Sequence, residues 1–295
     1  MRPLFITATA DYVEQIDEGT PGMDLKPLVT EAVGASVRRI GRFIQLALIG
    51  AGRCAKQTQL APDTSVYLGS GRGDLEVTIE VMQNLLRDGH APKPLSFINT
   101  VSNAACYYVA HSLKLMSHSS FVCNRYFAFE AVLQLAALDL EGGLTERALV
   151  GTVDVVVPPL ANHRIRVGLS SDTPVGDATH WIELRAERTN QTLAQLVACE
   201  QFADRESLQR WLGNHAEWKD ARLATGQFMH TDEASAWSQE LNLQCFDYRT
   251  SRPYYDSQSG AAINAFVQSN ESKLLHLNRD PSGRYAVLLL GKREE

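Results

Sequence analysis

The first half of this chain alternates short runs that are apolar on both faces with longer runs of helical periodicity. That alternation fixes the class of fold. A strand apolar on both faces must be buried on both, and covering helices do that in an α/β domain with a parallel or mixed sheet. The apolar strands are predicted over 3–7, 64–71, 119–124 and 147–158, within "PLFIT", "TSVYLGSG", "SSFVCN" and "RALVGTVDVVVP". Helical periodicity covers 25–55, broken around Gly34 or Gly41, and then 74–89, 103–115 and 127–143. Pro158 and Pro159 mark the break between two halves. In the second half, 180–188 reads as a strand and 204–214 as a helix, and a strand–helix–strand series ends in "YAVLLLGK".

Composition narrows the function. With 44% apolar residues in 295 there is ample material for a core, and a formal charge of −6 argues against a nucleic-acid binder. No stretch approaches the roughly 20 apolar residues of a membrane span. The opening residues turn acidic too soon for a secretory signal. The five cysteines (54, 106, 123, 199 and 245) lack C-x-x-C spacing, and most sit among apolar or small neighbours. They read as reduced, buried thiols in a cytoplasmic protein. The eight histidines lack metal-ligand spacing, and no cofactor or metal is expected.

Three stretches invite chemistry. "GSGRGD" (69–74) offers backbone amides at a strand-to-helix junction but matches neither the Walker nor the dinucleotide spacing, so a tight turn is the better reading. "HTDEASAWSQEL" (230–241) reads as a helix start that Thr231 or Asp232 could cap. Cys123 lies just before the helix at 127–143. A thiol at a helix N-terminus is activated, whereas one inside the preceding strand is expected to be buried and inert. Spacing along the apolar ridge puts the elbow nearer Tyr126 than Cys123.

Taken in order, these segments resemble the β-ketoacyl-ACP synthases of the thiolase superfamily. "SVRRIGRFIQLAL", "VYLGSGRGDLEVT", "PLSFINTVSNAACYYVAHSL" and "SSFVCNRYFAFEAVLQLAALDLEGGLTERALVGTVDV" are similar to successive segments of such a synthase's first half. "VGDATHWIELRAER" resembles a strand of its second half. The resemblance implies a thiolase-like fold of two α/β halves (1–160 and 161–295, the second shortened) in a layered αβαβα arrangement. It also implies an elbow cysteine and two histidines. Carried over by spacing, those positions hold Tyr126, Leu223 and Ser257, so all three catalytic residues are replaced. A phenol with a reference pKa near 10 is a poor nucleophile at neutral pH.

The function so implied is a non-catalytic subunit of chain-length-factor type, paired with an active ketosynthase in fatty-acid or polyketide biosynthesis. Asn103, Tyr107, Tyr108 and Phe121 are the expected partner interface, and Arg38, Arg39 and Arg42 the expected docking site for an acidic acyl carrier protein. Two alternatives stay open. One is an active acyltransferase or condensing enzyme using Cys123 with a base among His111, His118 and His230. The other is a homodimer that binds an acyl chain or carrier protein without chemistry.

Overall fold

The computed structural model describes residues 2–292. Nine strands form one mixed sheet in the order β3-β2-β4-β5-β1-β6-β9-β8-β7. The first five are β1 (Leu4–Ile16), β2 (Ser65–Ser70), β3 (Ser119–Cys123), β4 (Arg147–Asp154) and β5 (Val175–Arg185). β2 runs parallel to both β3 and β4, whereas β5 is antiparallel to β4 and β1.

The remaining four repeat that order. They are β6 (Ala194–Phe202), β7 (Arg222–Thr225), β8 (Lys273–Arg279) and β9 (Tyr285–Gly291), with β7 parallel to β8 and β9 antiparallel to β8 and β6. The counterpart of β3 has shrunk to a single parallel bridge between Leu223 and Cys245. The two sets meet where Leu4–Ile6 pairs antiparallel with Ala194–Leu196.

The repeat boundary therefore falls between Arg185 and Ala194, later than the break expected at 160. β5 belongs to the first set because it pairs along the length of β1. That pairing also explains why β1 runs on to Ile16, well past the apolar run 3–7. The sequence "ADYVEQI" is polar, yet one flank of it is held by a neighbouring strand.

Two helices lie between the sets, α6 (Ala128–Glu141) and α10 (Ser259–Gln268). α6 packs on β2 and β4 and also on β6 and β9, while α10 packs on β1, β5 and β8. Their apolar faces share one core with Tyr67, Val150, Ile182 and Leu288 from the strands. Close approach is built in at Gly260, where a Cβ would lie 2.7 Å from both His180 and Phe129.

The outer face of the first set is covered by α1 (Lys26–Val33), α2 (Arg42–Ala55) and α5 (Ala104–Leu113). The periodic run at 25–55 is thus two helices, the first ended by Gly34 at a φ of 72°. α3 (Leu75–Leu86), α4 (Pro94–Asn99) and α7 (Leu160–Val167) lie toward the periphery. α8 (Arg205–Asn214) and α9 (Thr231–Leu241) cover the second set. α9 begins where "HTDEASAWSQEL" places it, but its N-cap is His230 and has no side-chain cap bond. The layering is αβαβα, a thiolase-like fold. No described helix is long and apolar enough to cross a membrane.

Candidate functional site

The heads of α6 and α10 meet at the C-terminal ends of the parallel strands, where open α/β sheets gather their chemistry. The chain turns into α6 through Asn124, whose side-chain oxygen accepts from the backbone N–H groups of Tyr126 and Phe127, both at 3.2 Å. Those two donors are ones the first helical turn cannot satisfy itself. Tyr126 thus stands at the head of α6, at the position the sequence spacing assigns to the elbow.

The space before Tyr126 is filled with rings. Phe228 packs edge-on against Tyr126 with centroids 5.1 Å apart, and Tyr254 packs edge-on against Phe228 at 6.2 Å. The Arg125 guanidinium covers the Tyr126 ring at 5.1 Å. Beneath the rings the backbone is tied down. Asn278, at the end of β8, donates to the Tyr126 carbonyl at 3.3 Å, to Glu130 at 2.9 Å and to Ser259 at 3.3 Å. Ser259 donates to the same Glu130 oxygen at 2.6 Å. One buried cluster therefore joins α6, α10 and β8, and burial pushes the Glu130 carboxyl up.

A second buried cluster joins the halves a few residues away. Asp154, ending β4, accepts from the backbone N–H groups of Gly71 (2.8 Å) and Ser257 (2.7 Å). Asp256 accepts from Arg72 at 2.9 Å and from the Tyr254 hydroxyl at 2.8 Å, and Gln227 donates to its carbonyl. Burial first, and Asp256 second, push the Asp154 carboxyl up to about 7.

Cys123 is the last residue of β3, three residues short of the elbow. Its thiol faces the Gly71 carbonyl at 3.7 Å. Cys123 is exposed, not buried as its strand position suggests; partial desolvation still pushes the thiol up, and Asp154 and Asp256 push it further, with only Arg72 opposing. This is the reverse of the electropositive setting that makes a reactive thiolate. Ser257 is buried just before α10. Leu223 is placed elsewhere than the site. It sits within β7 opposite Leu275, its side chain in the outer core with Trp237 and Met229. Strand alternation turns Ala224 inward and Leu223 outward, and after β7 it is Phe228 that joins the rings, while Gln227 reaches the Asp256 carbonyl.

The candidate bases do not converge on Cys123. His111 stacks on Tyr107 on the surface of α5, and His230 stands at the N-cap position of α9. His118 lies at the opposite end of β3, hydrogen-bonded to Tyr67 at 2.6 Å. The expected arginine cluster also divides. Arg38 and Arg39 occupy the loop between α1 and α2 rather than one helix. Arg42 is bound to Glu14 at 2.5 Å and to buried Asp177, so it is not available to an incoming acidic protein.

Asn103, Tyr107, Tyr108 and Phe121, by contrast, do come together. They line one groove of about 940 Å³ formed by α4, the 100–103 loop, α5 and β3. Phe97, Ile98, Val101 and Tyr107 in this groove are each more than half exposed. β3 itself is the edge of the sheet, paired on one side only.

No family model matches the sequence, and no curated protein sequence does. Solved structures do match, and they share one fold, the thiolase-like fold of ketosynthases and chain-length factors. A structure described as the ishigamide ketosynthase/chain length factor matches over 99% of both chains at 17% identity and a TM-score of 0.72. A ketosynthase structure of a type II polyketide system, in complex with its acyl-carrier protein, matches over 99% of this chain and 100% of that one, at 13% identity and a TM-score of 0.69. The 3-oxoacyl-(acyl carrier protein) synthase III of Pseudomonas aeruginosa PAO1 matches over 99% of both chains at 16% identity and 0.62.

Proposed function

We propose that this chain is a non-catalytic, ketosynthase-like subunit that pairs with an active ketosynthase, in the manner of a chain-length factor, in cytoplasmic fatty-acid or polyketide biosynthesis. The observation that carries this reading is the head of α6. The residue there is Tyr126, held edge-on by Phe228, with neither a thiol nor a histidine to activate one. Ser257 and the loop after β7 supply no general base in exchange. The neighbours in fold include a ketosynthase/chain-length-factor structure and a ketosynthase with its carrier protein, which supports the pairing.

The pairing surface is the β3 edge with the groove beside it. An unpaired edge strand offers a row of N–H and C=O groups to another chain and is a liability unless covered. Apolar side chains as exposed as Phe97, Ile98 and Tyr107 lie directly beside it. A partner that adds a strand at β3 would bury both together.

The test is co-expression with a ketosynthase from the same biosynthetic system, followed by affinity capture and size-exclusion chromatography. A stoichiometric heterodimer is expected, lost in Phe121→Arg and Tyr107→Arg. A stable wild-type homodimer that excludes the ketosynthase would contradict the reading.

A further inference from the structure

α7 was not legible in the sequence, because the two prolines before it read as a break. It begins directly after Pro159, which occupies its N-cap position, and its last turn carries Arg164 and Arg166, favourable at the negative end of a helix. These two arginines flank Ile165, whose side chain is 76% exposed. Arg125, from the turn into α6, reaches the same face and donates to the Arg166 carbonyl at 3.2 Å.

No carboxylate is in direct salt-bridge contact with this face among the described residues, although Asp256 lies within the field of Arg125 and Asp172 within that of Arg164. Arg164 donates to the Thr173 carbonyl at 2.9 Å and Arg166 to the Val157 carbonyl at 2.6 Å, and among the described residues none of the three makes a salt bridge. Bonds to carbonyls fix each guanidinium in place while leaving its charge. Nearby, Asp256 is already engaged by Arg72, and Asp172 lies exposed within the field of Arg164. Buried His163, on the same helix, reports that field: burial first, then Arg166, Arg72 and Arg164, hold its imidazole down to about 4. Arg166 Nε and Arg72 Nη2 are buried without partners.

We infer that Arg125, Arg164, Ile165 and Arg166 form the docking surface for an acidic carrier protein, in place of the Arg38–Arg39 loop; this rests on the subunit reading above. Fixed guanidiniums steer an acidic partner and set its orientation. An exposed isoleucine between them adds an apolar anchor, which a protein surface can cover and a nucleic-acid backbone cannot use. The acidic chain as a whole repels polyanions, so recognition depends on this local patch.

The experiment titrates the full chain with a fluorescently labelled, purified acyl carrier protein at about 25 and 300 mM salt. Binding at low salt is expected, weakened about tenfold or more at high salt and by the Arg164→Glu/Arg166→Glu variant. Because Arg166 is half-buried, Arg125→Glu/Ile165→Asp, at two exposed positions, serves as a second variant with the same expectation. Arg38→Glu/Arg39→Glu should change affinity less than about twofold. No binding at low salt, or an equal loss in the Arg38/Arg39 variant, would overturn the assignment. So would equal binding of a single-stranded oligonucleotide, which would mark a general polyanion surface. Ketosynthase pairing is assayed on the same variants. If pairing persists while carrier binding is absent, the docking assignment alone fails; if carrier binding is present without pairing, the subunit reading fails.

Discussion

Two residues, Asn124 and Arg125, separate Cys123, the last residue of an open edge strand, from Tyr126, at the head of a closed helix. On the Tyr126 side, three rings pack edge-on, Asn278 holds the Tyr126 carbonyl beneath them, and Glu130 and Ser259 bond to Asn278 and to each other. On the other side of β3, four of the groove residues are more than half exposed, and the strand has one free edge. At the head of α6 the chain packs rings against one another. Where a self-sufficient monomer needs a covered edge, this chain has a bare one. The contrast is what a loss of chemistry with retention of an interaction surface would leave behind.

The sharpest break of that contrast is in the buried cluster. Glu130→Ala leaves Asn278 and Ser259 facing an acceptor that is gone, and is expected to lower stability by about 3 kcal/mol. Glu130→Gln keeps an acceptor there and should cost less than about 1 kcal/mol. Urea unfolding of the two variants gives the comparison, and equal losses would show that the cluster's hydrogen bonds are not what holds the helix heads together. Next in size, Phe228→Ala removes half of a partly buried ring pair, with an expected loss of about 1–2 kcal/mol in the same assay. Smallest are the groove substitutions Phe97→Ser and Ile98→Ser, expected to stay within about 0.5 kcal/mol of wild type, since neither side chain is buried in the chain alone. A loss from these as large as that from Phe228→Ala would mean that the groove is core and not interface.

Much of this was legible in the sequence. β2, β3, β4 and the helices between them follow from apolar runs and helical periodicity, because each is buried on both faces or along one stripe. That Tyr126 stands at the head of α6 was legible because α6 carries an unbroken ridge from which to count back, and the four groove residues come from segments whose order was clear. Leu223 slipped because the short motif "LATGQ" carries no such ridge. A strand of four residues leaves nothing to fix which residue passes its end. The Phe228–Tyr254 contact and the Asn278 bridge were illegible for another reason: they join residues brought together only by the meeting of the two halves. The arginines at 38, 39 and 42 looked like one patch by spacing, but Gly34 and Gly41 break the helix and Asp177 takes Arg42.

The central claim is that the head of α6 has no working nucleophile. The direct measurement is intact mass and peptide mapping after the purified chain meets a reactive acyl thioester and a ketosynthase-directed covalent inhibitor. The expected result is a folded protein without a stoichiometric adduct, Cys123 included. A site-specific, stoichiometric adduct on Cys123 would contradict the account and make this chain an acyl-transferring enzyme.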